Sequence, residues 1–169
     1  MTPSPIPKNP LGPTGRTVAA NVQRLRKKHG LAFTELSSRL EALGRPIPTL
    51  GLRKIEANER RVDADDLIAL SLALGTNPNA LLLPPTDDSH HFVTITGAAV
   101  NSAADVWDWG RGSRPLPDGH RFVPEDIPES NRNAYEQAFF ESNAKPNMQD
   151  WTGAPNIKIS DTRSNNGDD

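Results

Sequence analysis

Arg45, Arg53, Lys54, Arg60 and Arg61 fall within one stretch, RPIPTLGLRKIEANERR (45–61), whose only acids are Glu56 and Glu59. Arginine can bond guanine bidentately, Leu and the threonine methyl can touch a thymine methyl, and any basic side chain can hold a phosphate. The chemistry of such a set is recognition of double-stranded nucleic acid, with no covalent bond made or broken. On a helix, at about 100° per residue, Thr49, Leu50, Arg53, Lys54 and Ala57 share an arc of roughly 140°. Gly51, Leu52, Ile55 and Glu56 fall opposite. Leu52 and Ile55 then anchor the helix to a core, and Thr49, Leu50, Arg53 and Lys54 face outward. Arg45, Arg60 and Arg61 flank it and suit phosphate contacts, which hold register without reading sequence. The plainer alternative makes Arg53 and Lys54 solvated charges and Leu50 a scattered surface apolar residue.

Other reactive residue types are less well placed. The chain has no cysteine, so disulfides and thiolate metal sites are out of reach. His90 and His91 are adjacent and lack the spacing of a metal motif, so no metal ligand is assigned. Asp63, Asp65 and Asp66 are explained by the start of a helix. Trp107 and Trp109 could stack on single-stranded bases, but Asp105 and Asp108 beside them repel phosphate, which favours packing or a dimer contact. No Ser-His-Asp set, phosphate loop or paired-carboxylate motif stands out, so no catalytic residue and no cofactor is assigned, and an enzyme is not expected.

The net charge of −2 conceals a division: residues 1–62 hold 12 Lys/Arg against 4 Asp/Glu, a balance of +8, and residues 63–169 hold 7 against 17, a balance of −10. The basic half favours a nucleic-acid partner that the whole-chain charge would disfavour. Sixteen prolines and only 35% hydrophobic residues are thin for one continuous core, so part of the chain is expected to be unstructured. No apolar run reaches a membrane span and no secretory signal opens the chain, which points to a cytoplasmic protein with no membrane partner.

The elements that must position the basic stretch can be read from periodicity. Residues 1–14 form a Pro-rich leader expected to be disordered. From Gly15, Val18, Val22 and Leu25 trace a helical stripe that Gly30 ends. A second helix runs from about Phe33 to Leu43, with Leu36, Leu40 and Leu43 as its stripe. GRPIP is a stiff turn. The third helix starts near Pro48 and leaves through Ala57–Asn58. Asp63 caps a fourth, with Leu67, Leu70 and Leu74 as its stripe, and Asn77 caps a short fifth. Beyond Pro85, HHFVTITG (90–97) alternates as a strand does, SAADVWDW (102–109) has a serine cap, and residues 129–143 suit a helix with Ala134, Tyr135, Ala138 and Phe139 on its apolar side. Residues 144–169 are polar and expected to be disordered.

The stretch NVQRLRKKHGLAFTELSSRL together with IPTLGLRKIEANERRVDADDLIALSLALGTNPNALLL resembles the helix-turn-helix domain of the XRE family, the lambda-repressor and Cro-like regulators. The resemblance covers residues 15–85 and rests on Leu25-Arg26, Gly30-Leu31, Leu52-Arg53-Lys54-Ile55-Glu56 and Leu67 to Gly75. It implies an all-α, five-helix lambda-repressor-like bundle whose third helix enters the major groove. It also implies a structural ion pair between Arg26 and Glu56. Two departures stand out. EALGRPIP lengthens the second helix and the turn after it by about five residues relative to the family pattern, and Phe33 replaces a polar phosphate-contacting residue, a role Thr34 could take. The expected function is sequence-specific double-stranded DNA binding by a transcriptional regulator acting as a dimeric repressor, with residues 86–143 as a partly ordered extension for dimerisation, a partner or a ligand. The alternative is an antitoxin-like or adaptor module whose bundle binds protein.

Overall fold

The computed structural model describes residues 10–117, 119 and 123–144. Among them are seven helices and one two-stranded sheet: α1 (Pro13–Lys28), α2 (Phe33–Ala42), α3 (Thr49–Glu56), α4 (Ala64–Ala73), α5 (Pro78–Leu82), β1 (Phe92–Thr94), β2 (Val100–Ser102), α6 (Ala103–Gly110) and α7 (Glu129–Ala144). The chain is mainly α. No helix among the described residues is long and apolar enough to cross a membrane. The expectations for residues 1–9 and 145–169 lie outside the described residues.

Local chemistry sets most boundaries. Asp63 Oδ1 accepts the Asp66 N–H at 2.7 Å, Asn77 Oδ1 accepts Ala80 N–H at 3.1 Å, and Ser102 Oγ accepts Asp105 N–H at 3.1 Å. Each satisfies one of the backbone donors that a helix start leaves unpaired. Gly30 ends α1 at φ 65°, with its own N–H donating to Lys27 O and Leu31 N–H to Arg26 O, both at 3.0 Å. Asn58 leaves α3 at φ 63°. Pro13 is the first residue of α1, so this helix begins two residues before the expected Gly15. Proline suits that position because its missing N–H would have no helical partner.

Helices α1 to α5 enclose one apolar core containing Val22, Leu36, Leu40, Leu52, Ile55, Leu70, Leu74 and Leu81. Leu43, expected on the α2 stripe, is 48% exposed, because α2 ends at Ala42 and Leu43 is its cap residue. Ile47 is buried in its stead, and Ser37 Oγ donates to Ile47 O at 2.8 Å. The lengthened turn is thus part of the core rather than a loop over it. Leu67 stays at the margin, only partly buried, since α4 turns Ala69, Leu70, Ala73 and Leu74 inward.

A second, smaller core of Leu83, Val93, Ile95, Ala103, Val106 and Leu116 follows. The expected strand is shorter than 90–97 and has an unforeseen antiparallel partner, with Phe92 opposite Ser102, Val93 opposite Asn101 and Thr94 opposite Val100. Val93 and Asn101 face inward; Phe92 and Val100, both strongly exposed, share the outer face. Leu82 packs against both cores. Asn21, fully buried, donates to Leu81 O at 3.0 Å and Leu83 O at 2.9 Å, and the Trp107 indole donates to Pro84 O at 3.1 Å. Helix α7 has no buried residue. Of its expected apolar side, Ala134, Ala138 and Phe139 are exposed and Tyr135 is half-buried, while the neighbouring Phe140 is half-buried as well.

Candidate nucleic-acid interface

Helix α3 is short, and its two faces differ sharply. Leu52 and Ile55 are fully buried, while Leu50 is 62% exposed and Arg53, Lys54 and Ala57 are exposed beside it. Thr49, at the first turn, is half-buried. Among the described residues neither Arg53 nor Lys54 is held in an ion pair. Two cationic heads and one apolar side chain therefore project from a single turn, side-chain types that can meet phosphates and apolar groups in a groove.

The start of α2 lies against this face through Phe33. The guanidinium carbon of Arg53 is 4.6 Å from the centroid of the Phe33 ring, and that of Arg26 is 3.9 Å from it. Both distances are within the range of cation–π attraction. Arg26 is itself fixed: its Nε donates to Glu56 Oε1 at 2.6 Å, its Nη2 to Oε2 at 2.9 Å and its Nη1 to Leu31 O at 3.0 Å. Only 11% of the Arg26 side chain and 4% of the Glu56 side chain are exposed. The bond to Glu56 raises the Arg26 pKa above its ordinary value, against the opposing effect of partial burial. The Glu56 carboxylate, the Arg26 guanidinium, the Phe33 ring and the Arg53 guanidinium thus form a chain of contacts from the core side of α3 to its exposed side. No side chain caps α2, and Thr34 is exposed in its first turn.

A second fixture holds both ends of α3. Asp66, in the first turn of α4, is 2% exposed, and receives Arg45 Nε on Oδ1 and Arg60 Nη2 on Oδ2, each at 2.8 Å. Arg45 precedes α3 and Arg60 follows it. Arg45 also bonds Asp63 Oδ2 at 2.8 Å. The hydrogen bond to Asp66, helped by the charges of Asp63 and Asp65, raises the Arg45 pKa. The Asp66 N–H, with Arg45 nearby, lowers the Asp63 pKa. Gly51 makes this packing feasible: a Cβ there would sit 2.6 Å from Arg60 Nη1 and 3.1 Å from Ile47 Cγ2. Arg61 donates to Pro10 O.

The residues singled out in the sequence are therefore in three settings. Leu50, Arg53 and Lys54 lie together on the open face of α3, with Thr49 at its start. Thr34 and Arg61 are exposed beside that helix or just beyond it. Arg45 and Arg60 are engaged by carboxylates, which compete with phosphate for the same donors. Phe33 and Asp66 were missed as positioning residues. The signal for Asp66 was an acid among leucines of an amphipathic helix. No signal in the sequence announced that Phe33 would lie between two arginines. Comparison of the chain with protein-family models, curated proteins and solved structures finds no match.

Proposed function

We propose that this chain is a sequence-specific double-stranded DNA-binding transcriptional regulator of the cytoplasm, with α1 to α5 acting as a lambda-repressor-like helix-turn-helix domain and α3 as its reading helix. The observation that carries the reading is the open face of α3, where Leu50, Arg53 and Lys54 project together while Leu52 and Ile55 are buried. Arg53, Lys54, Leu50 and Thr49 contact base edges, and Thr34 and Arg61 contact phosphates. Arg45 and Arg60 act first as struts that fix α3 through Asp66. One such domain reads few base pairs, so two copies on paired half-sites are the working form. The outer face of the hairpin, with Phe92 71% and Val100 58% exposed, is a surface a second copy would cover.

Selection of random duplexes on the full chain tests this. A consensus should emerge, its binding should weaken steeply with salt, with a logarithmic slope of about −0.9 per phosphate neutralised, and Arg53→Ala should lose about tenfold or more on the consensus while random duplex changes little. A second reading, an antitoxin-like or adaptor module, is favoured by Ile68 and Leu72, 50% and 61% exposed and one turn apart on α4. It requires that no consensus emerge and that the chain associate with a protein through α4, so that Leu72→Glu breaks the complex.

A further inference from the structure

A cleft of about 590 Å³ opens between the start of α1, α5, the turn after β1, the end of α6 and α7, and shares no lining residue with the open face of α3. Its size suits a small organic molecule. Leu82, Leu83, Ile95, Trp109 and Phe140 supply apolar lining. Its polar lining is rich in hydrogen-bond donors. Thr14 and Thr96 line it, and each hydroxyl oxygen accepts the other residue's backbone N–H, at 2.9 Å on Thr14 and 3.3 Å on Thr96. Each hydroxyl therefore keeps its hydrogen to donate. Asn79 donates one amide hydrogen to Gly110 O at 2.8 Å and keeps its side-chain oxygen as an acceptor. Arg111 lines the cleft with 62% of its side chain exposed. Its partner Asp108 also receives Arg114 Nη2 at 2.8 Å, so Arg111 can turn to a ligand without leaving that carboxylate alone. Among the described residues no Asp or Glu lines the cleft.

We propose that this cleft binds a small aromatic carboxylate, its ring against Trp109 and Phe140 and its carboxylate on Arg111 and the two threonine hydroxyls. Donors without a facing acid select an anionic end, and the indole and phenyl rings select a flat apolar body. Helix α7 buries none of its own residues, so a ligand under Phe140 adds contact between α7 and the rest of the fold. The proposal stands apart from DNA binding and is tested without DNA.

The full chain is titrated by calorimetry with 1-naphthoate, with 1-naphthamide as the neutral counterpart and 1-naphthylmethylammonium as the cation. The expected result is one saturable site that prefers naphthoate to naphthamide by about tenfold and to the cation by more. Arg111→Gln should erase the preference for naphthoate and leave naphthamide unchanged, and Phe140→Ala should weaken both. Arg111 is exposed and α7 has no buried residue, so both variants keep the two cores, which circular dichroism verifies. Absence of saturable binding, equal affinity for the anion and the cation, or a preference that survives Arg111→Gln overturns the proposal.

Discussion

Arg53 lies over the ring of Phe33, its guanidinium carbon 4.6 Å from the centroid. A long side chain that would otherwise sample many rotamers on an open surface is held near one position before any partner arrives. Ordering such a side chain only on binding costs part of the affinity gained.

If that ring positions Arg53, Phe33→Leu should lower affinity for the selected duplex by about two- to fivefold, the range of an exposed cation–π contact of roughly 0.5–1 kcal/mol. Affinity for random duplex should stay the same, and Phe33→Tyr should restore the loss. Fluorescence anisotropy on both duplexes makes the comparison. Equal losses on the two DNAs would assign Phe33 to packing alone.

The Arg26–Glu56 pair is mostly buried and hydrogen-bonded at both oxygens of the carboxylate. Removing either partner leaves the other charge poorly solvated. Arg26→Ala or Glu56→Ala should each cost about 3 kcal/mol in urea unfolding, and the double variant should cost clearly less than the two single losses combined. Strict additivity would show that the two residues act independently.

Asp66 is buried between two arginines that bracket α3. Asp66→Ala should therefore lower the thermal midpoint and also weaken binding to the selected duplex, because both ends of α3 are released. Arg60→Ala should destabilise wild type more than it destabilises the Asp66→Ala background. Thermal melts of the four proteins give the coupling. Were Arg60→Ala to weaken all DNA binding with no change in melting, its role would be phosphate contact and not support.

Asp63 is held ionised below the ordinary carboxylate range by the Asp66 N–H and by Arg45. A depressed folded pKa means that the stability this charge contributes is present above the ordinary range and is lost as pH falls through the folded value. Asp63→Asn keeps an acceptor for the cap and removes the charge. The stability gap between wild type and this variant should be full at about pH 6 and should narrow as pH falls below the ordinary carboxylate range. A gap that did not change with pH would mean the charge adds nothing.

Much of the fold is legible in the sequence because its signals are local. Caps at Asp63, Asn77 and Ser102 and left-handed exits at Gly30 and Asn58 act over three or four residues, and so does the leucine spacing that buried Leu36, Leu40, Leu52 and Ile55. The two faces of α3 follow from the same periodicity. The Arg26–Glu56 contact came from the resemblance rather than from spacing. What only the tertiary structure decided depends on contacts between distant segments. Arg45 meets Asp66 across 21 residues of sequence, and Thr14 meets Thr96 across 82. Ile47 is buried and Leu43 exposed because the turn folds back over Ser37, which no helical wheel of α2 contains. A short strand such as β2 has too few residues to declare a period, and only its pairing with β1 defines it. Charge count along the chain measures how many arginines a segment has; which of them are left for a partner depends on where folding brings the carboxylates.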